Sequence, residues 1–168
     1  MQPEAVVRAF RKKPLWEPRL STSDIRLQRF DIERLLPHRE PFLFIDCIES
    51  LDLEQAAIRG RRTIHPEDPA FVGHFPGQPI YPGVLQIETI GQLGVCLSAL
   101  MRHNEAPADV RALRIHHALF QSEVLPGDEL TILAQLLESD DYTAICAGQL
   151  LKSDGSVTAL AVMEVYFP

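Results

Sequence analysis

The sequence predicts an α+β domain in which a curved antiparallel sheet wraps one long central helix. Three observations carry that expectation. Residues 83–102, GVLQIETIGQLGVCLSALMR, are apolar around almost the whole circumference of a helix, so this helix is buried rather than laid on a surface. Residues 111–168 fall into short alternating segments separated by LPGD at 125–128, SDD at 139–141 and SDG at 153–155, all with the chemistry of tight turns. Between the two halves, residues 65–82 hold five prolines and support neither helix nor strand; an ordered loop that long inside a compact domain is usually functional.

Taken in order, the elements begin with a segment broken by Pro3, Pro14 and Pro18, an appended arm over residues 1–30 with at most a short helix around Ala5 to Phe10. The body, residues 31–168, opens with a helical turn in DIERLLPHREPF that Pro37 stops. FLFIDCIESL then reads as a strand rich in β-branched and aromatic residues, and residues 53–64 as a second. The central helix runs from Gly83 to about Arg102, followed by a polar turn containing Asn104 and Pro107. Strands are expected at about 111–120, 129–138, 142–152 and 156–167. Several antiparallel strands and one apolar helix leave one economical packing, the sheet curled around the helix, which is the hotdog architecture.

At 168 residues and 46% hydrophobic composition the chain suits a single globular domain. No apolar run reaches the roughly 20 residues that span a bilayer. Arg8, Arg11, Lys12 and Lys13 interrupt anything resembling a signal peptide, so a cytoplasmic protein without an integral membrane segment is expected. Cys47, Cys96 and Cys146 stand at no metal-binding spacing and in apolar surroundings, as buried thiols of a reducing compartment do. The net charge of −7 is uneven. Residues 1–30 hold seven basic and three acidic side chains, a net +4, against nine and twenty, a net −11, in the rest. A negative body argues against nucleic acid as a partner. A basic arm suits an acidic protein or an anionic membrane, or is simply a solvated tail.

The chemistry concentrates in GHFPGQPIYPGVLQIETIGQ, residues 73–92. An ionised Glu88 in the middle of an apolar helix costs several kcal/mol unless it is paired or faces a cavity. A salt bridge from a strand arginine would meet that need as well as an active site would. Gln92, one turn on, can orient the carboxylate, and Gly91 and Gly94 allow close approach. His74 sits among Gly73, Phe75, Pro76 and Gly77 on a backbone that is tightly set; alone it would read as a surface histidine. If the loop folds over the start of the helix, a base and an acid flank one substrate carbon pair, as proton abstraction followed by loss of hydroxide requires. Pro82 and Gly83 open the helix, and free N–H groups there would polarise a thioester carbonyl.

LLPHREPFLFID, GHFPGQPIYPGVLQIETIGQ and VLPGDEL closely resemble the 3-hydroxyacyl-[acyl carrier protein] dehydratases of type II fatty acid synthesis, over about residues 31–168. The resemblance implies that His74 and Glu88 are catalytic. Aspartate replaces the glutamate in the related dehydratase/isomerases, so Glu88 points to the dehydratase branch. It also implies a homodimer whose tunnels each take the histidine from one protomer and the acid from the other, often assembled further into a trimer of dimers, with an acyl carrier protein or another acyl thioester carrier as partner. The expected reaction converts a (3R)-3-hydroxyacyl thioester to the trans-2-enoyl thioester in a fatty acid or related polyketide or polyene pathway. His74 takes the α-proton, the N–H groups of Gly83 and Val84 hold the carbonyl, Glu88 protonates the departing hydroxyl, and Gln92 steadies it. No metal or redox cofactor is expected, because the thioester already acidifies the α-carbon. Phe42, Phe75, Pro76, Leu85 and Leu93 are candidate tunnel walls, though each serves equally as ordinary core.

Two departures stand out. Around residues 116–123 the family has basic residues in a KxRFRRPV-like strand, where this chain reads HHALFQSE, and the arm is longer than the family's usual start. The arm's cations, or Arg59, Arg61 and Arg62, are the candidates to replace the strand's charge. His38 and Arg39 of LPHRE are expected to cap or pack; His65, His103, His116 and His117 are given no role. A hotdog acyl-thioesterase and a non-catalytic acyl-binding subunit are the alternative functions.

Overall fold

The computed structural model describes residues 3–102 and 109–168; His103, Asn104 and Pro107 of the expected turn lie outside them. The elements are α1 (Pro3–Phe10), β1 (Ser23–Gln28), α2 (Arg29–Ile32), β2 (Cys47–Asp52), β3 (Ala57–Thr63), a 3-10 turn (Pro69–Val72), α3 (Gly83–Met101), β4 (Arg111–Phe120), β5 (Glu129–Ser139), β6 (Thr143–Lys152) and β7 (Val157–Tyr166). The strands form one antiparallel seven-stranded sheet in the order β1-β2-β3-β5-β6-β7-β4. Positive φ at Gly127 and Gly155 makes the turns predicted at LPGD and SDG.

Alternation along the strands separates two apolar faces. On β5, Leu130, Ile132 and Ala134 point to the concave side, where Leu150, Ala159, Ala161 and Met163 join them against Ile87, Ile90, Leu93 and Leu97 of α3. The helix lies close to the sheet. A Cβ on Gly148 would come within 2.2 Å of Ile90 Cγ2, and those on Gly91 and Gly94 would meet Met163 and Cys146 at 3.2 and 3.4 Å. The bareness of Gly91 and Gly94 therefore serves helix-on-sheet packing, not the approach of a substrate. By length and composition α3 alone, among the described residues, meets the requirement for a membrane span, contrary to the expectation that no apolar run approaches that length. Two thirds of its apolar window is nevertheless buried in the protein's own core.

The convex face is covered as well, and this differs from the expectation of an arm outside the domain. Val6, Leu15 and Trp16 pack on Ala57, Leu133, Ala147, Leu151, Val157 and Val162. Three backbone groups of the arm converge on one fully buried amide: Gln149 Oε1 accepts from Leu15 N (2.8 Å), while Gln149 Nε2 donates to Phe10 O (2.7 Å) and Lys13 O (2.9 Å). Trp16 Nε1 donates to Ile58 O at 3.3 Å, and Ser21 and Thr22 hydroxyls both donate to the buried Asp52 at 2.8 Å. The next residues form β1, so the sheet begins at Ser23, inside the first 30 residues. The polar, weakly patterned SDIRLQ hides an edge strand whose inner positions pack only partly. Trp16 is 6% exposed, so Trp16→Ala is expected to cost about 3 kcal/mol of folding free energy. Urea unfolding followed by circular dichroism checks this, and an unchanged midpoint would mean that the arm floats free.

FLFIDCIESL is strand only from Cys47 onward. The backbone of residues 42–44 is bonded instead to a side chain of α3, described next. Cys96 and Cys146 are buried free thiols, while Cys47 is only half-buried on β2. Burial pushes the Cys146 thiol up to about 12 and Cys96 further in the same direction.

Candidate active site

The proline-rich segment is a pinned loop. Asp68 Oδ1 accepts from Ala70 N (2.9 Å) and caps the 3-10 turn; His74 N donates to Ala70 O (3.0 Å) at its end. Phe75 and Gln78 exchange both backbone bonds, at 3.0 and 2.9 Å, around Gly77, whose φ of +79° is open to glycine. Ile80 holds His74 twice: its N–H donates to His74 O (3.0 Å) and its carbonyl lies 2.8 Å from His74 Nδ1. A carbonyl only accepts, so Nδ1 carries a proton, and in the neutral ring Nε2 presents the free lone pair. The Phe75 ring stacks on the imidazole with centroids 4.0 Å apart.

Beneath the loop, Tyr81 N donates to Val124 O (2.7 Å), and burial pushes the Tyr81 phenol up to about 12, which keeps it neutral. Arg62 is the functional support that the sequence hid. It belongs with neither the solvated cations of its strand nor a docking face. It is 8% exposed, with its guanidinium 3.6 Å from Asp46, 3.7 Å from Asp68 and 5.3 Å from the centre of the Phe44 ring. Arg62 thus joins the root of the histidine loop to the segment that holds Gln92. Arg59 and Arg61 are also engaged, both with Glu49 of the neighbouring strand, at 2.9 and 2.8 Å.

The acid stands on α3, half-buried. Among the described residues no strand arginine pairs with Glu88. Its Oε1 accepts from Gln92 Nε2 at 2.9 Å, and His38 Nε2 lies 3.4 Å away. The Gln92 amide has one orientation. Its Oε1 accepts from Phe44 N (2.8 Å), which turns Nε2 toward Phe42 O (2.9 Å) and the carboxyl. This one buried side chain explains why residues 42–44 make no ladder with a neighbouring strand. His38, expected to cap or pack, instead reaches the carboxyl, with its ring stacked near Phe42. The signal that could have found it was present in LPHRE, but nothing in the sequence places that loop beside the middle of α3.

At the tip of α3, Leu85 N and Gln86 N both bond Pro82 O, at 3.1 and 3.2 Å. Gly83 N and Val84 N have no backbone acceptor among the described residues, as a carbonyl-binding tip requires. The space over Gly83 is not open, as it would be if glycine served to admit a carbonyl there. A Cβ on Gly83 would lie 2.9 Å from Phe120 of β4, so the missing side chain makes room for that ring. Of the expected tunnel residues, Phe42, Phe75 and Pro76 are exposed and Leu85 is half-buried. Leu93 has no exposure at all and sits against Gly60 in the core, so within one chain it lines no opening.

Glu88, Gln92, His38 and Phe42 therefore form one cluster, and His74, Phe75 and Pro76 another. Within one chain no hydrogen bond or ion pair joins His74 to Glu88. An imidazole with one nitrogen unbonded and a carboxyl gripped from one side have the chemistry that the two halves of an acid–base pair require.

A family model described as a FabA-like domain matches residues 36–161. The chain is 44% identical over 115 residues to the 3-hydroxyacyl-[acyl-carrier-protein] dehydratase FabZ of Bartonella henselae, which covers 67% of this chain and 74% of that protein. It is 36% identical over 141 residues to the enzyme of the same name from Syntrophotalea carbinolica, 84% of this chain and 95% of the other. Among solved structures it resembles the dehydratase heterocomplex ApeI:P from Xenorhabdus doucetiae, with a TM-score of 0.67 and 21% identity over 82% of this chain and 90% of that one. A hypothetical thioesterase with coenzyme A from Streptococcus pneumoniae follows, with a TM-score of 0.54 and 10% identity over 68% and 80%. Both structures share the hotdog fold with this chain.

Proposed function

The chain belongs to the FabA-like family, and on that premise we infer that it is a 3-hydroxyacyl-[acyl carrier protein] dehydratase, forming a trans-2-enoyl thioester and water from a (3R)-3-hydroxyacyl thioester. It acts in fatty acid synthesis or a related polyketide pathway. The observation that carries the mechanism is the hydrogen bond from His74 Nδ1 to Ile80 O, which leaves Nε2 as a base.

In this reading His74 Nε2 removes the α-proton, and the electron pair passes into the thioester carbonyl, held by the N–H groups of Gly83 and Val84. The enolate then expels the β-hydroxyl, which takes a proton from Glu88 and leaves as water. The bond that Gln92 donates to Glu88 Oε1 marks that oxygen as the bare one, so the transferable proton belongs on Oε2. Exchange with solvent returns the proton from His74 and restores Glu88. The thioester supplies the electron sink, so this chemistry calls for no metal or redox cofactor.

The active unit is a homodimer, with His74 of one protomer facing the partner's Glu88. Two features support it. The two side chains do not meet within one chain, and β4 is an edge strand whose Leu113, Ile115 and Phe120 are all half exposed or more. An apolar edge of that kind calls for a second copy. The buried free thiols suit the cytoplasm.

Gln92 is a positioning residue in this scheme. Gln92→Met keeps the volume and removes both the grip on Glu88 and the acceptor for Phe44 N. The expected kcat, normalised to the folded fraction, falls about tenfold while KM stays within about twofold. A rise in KM with kcat unchanged would move Gln92 from orienting the acid to binding substrate. Product formation is followed by enoyl absorbance with a 3-hydroxyacyl thioester as substrate.

A further inference from the structure

We propose that Arg11, Lys12 and Lys13 are the landing site for the acidic face of the carrier protein that delivers the substrate; the proposal rests on the dehydratase reading above. The three side chains are exposed, yet the backbone that bears them is fixed. Gln149, wholly buried on β6, holds Phe10 O just before the run and Lys13 O at its last residue, at 2.7 and 2.9 Å, and Gln121 Nε2 donates to Arg11 O. Gln121 follows Phe120, the residue whose ring lies on Gly83 at the tip of α3. The cationic run, on the convex face, is therefore bonded to the residue next in sequence to the ring that lies on the tip from the concave side, so only the edge strand β4 separates the two.

Charge points to the same place. Among the described residues, Arg8, Arg11, Lys12 and Lys13 make no ion pair, and Lys13 only rests over the Phe10 ring at 5.2 Å. Arg19, Arg26, Arg34, Arg39, Arg102 and Arg114 also make no ion pair among the described residues, but only residues 8–13 bring four such cations into one short run. Elsewhere Arg59, Arg61 and Arg62 are engaged by Glu49, Asp46 and Asp68, Arg111 by Asp109 and Lys152 by Asp128. The stretch of β4 and loop that approaches the tip, residues 116–123, contains no lysine or arginine, and its His116 faces Glu164 at 3.0 Å. Residues 31–168, at −11, repel an acidic protein; the run on the arm attracts one, and the gradient between them orients the encounter. A partner that brings a thioester to the helix tip on a long tether can land on the convex side of edge strand β4 and reach the tip around that edge. Because the run is pinned from below, it pays little ordering entropy when it engages.

The test uses the full chain and its Arg11→Glu/Lys12→Glu/Lys13→Glu variant. Binding of a phosphopantetheine-bearing acyl carrier protein from a type II fatty acid synthase is measured by fluorescence anisotropy at low and high salt. The variant is expected to bind about tenfold more weakly at low salt, with the difference shrinking at high salt. The ratio of kcat/KM for a carrier-bound substrate to that for the N-acetylcysteamine thioester is expected to fall to a similar degree. Equal affinity of the two proteins for the carrier overturns the proposal. So does an affinity difference seen only with phosphatidylglycerol vesicles, which would make the arm a membrane contact. Failure of the unaltered protein to dehydrate the small thioester would strike the dehydratase reading instead, and the binding measurement does not depend on it. Melting temperatures of the two proteins guard against loss of the arm's docking.

Discussion

His74→Ala is expected to lower enoyl formation by about 100- to 10,000-fold without unfolding the loop that carries it. The loop is held by backbone bonds, His74 N to Ala70 O and Ile80 N to His74 O, that do not involve the imidazole. What disappears is the one ring nitrogen that the bond to Ile80 O leaves free to accept a proton. Absorbance of the enoyl thioester reads the loss. The same variant separates the alternatives. A hotdog thioesterase would continue to hydrolyse the thioester without this histidine, and a non-catalytic acyl-binding subunit would show no turnover even before substitution. A variant that retained more than about a tenth of the activity would remove His74 from the role of base.

Glu88→Gln is expected to reduce turnover by a similar factor, since an amide cannot donate the proton that releases hydroxide. Its most informative use is in combination. If each site takes His74 from one protomer and Glu88 from the other, mixing inactive His74→Ala and Glu88→Gln chains, followed by subunit exchange, creates hybrid dimers with one intact site each. Equal mixing places half of the dimers in that class, so about a quarter of the unaltered activity returns. No recovery after demonstrated exchange would put both groups in the same chain, and the separation of the His74 and Glu88 clusters would then have to close by a loop movement.

The central helix was legible because the apolar positions from Val84 to Met101 spread around almost the whole circumference, a pattern no surface helix shows. The four late strands were legible from their turns, where Gly127 and Gly155 carry the φ that only glycine adopts freely. His74, Glu88 and Gln92 stood out by their company, and the structure supplies the reason for the last. What could not be read was long-range. SDIRLQ becomes a strand only because β2 offers its edge, and Arg62 looks like its neighbours Arg59 and Arg61 until Asp68 folds over it. His38 is fifty residues from Glu88 and meets it only when Gln92 draws the 42–44 backbone onto the helix. The arm misled for a related reason. Its prolines and charges describe its solvent side, while Val6, Leu15 and Trp16, too widely spaced for a periodic signal, describe the side that docks.

The clasp on Gln149 also orders events in time. Phe10 and Lys13 are translated 139 and 136 residues before the amide that receives them. Helix α1 therefore leaves the ribosome long before its seat on β4 and β7 exists, and it waits with Val6 in water. Closing so distant a contact is slow, so the arm should be among the last pieces to settle and the first a chaperone would meet.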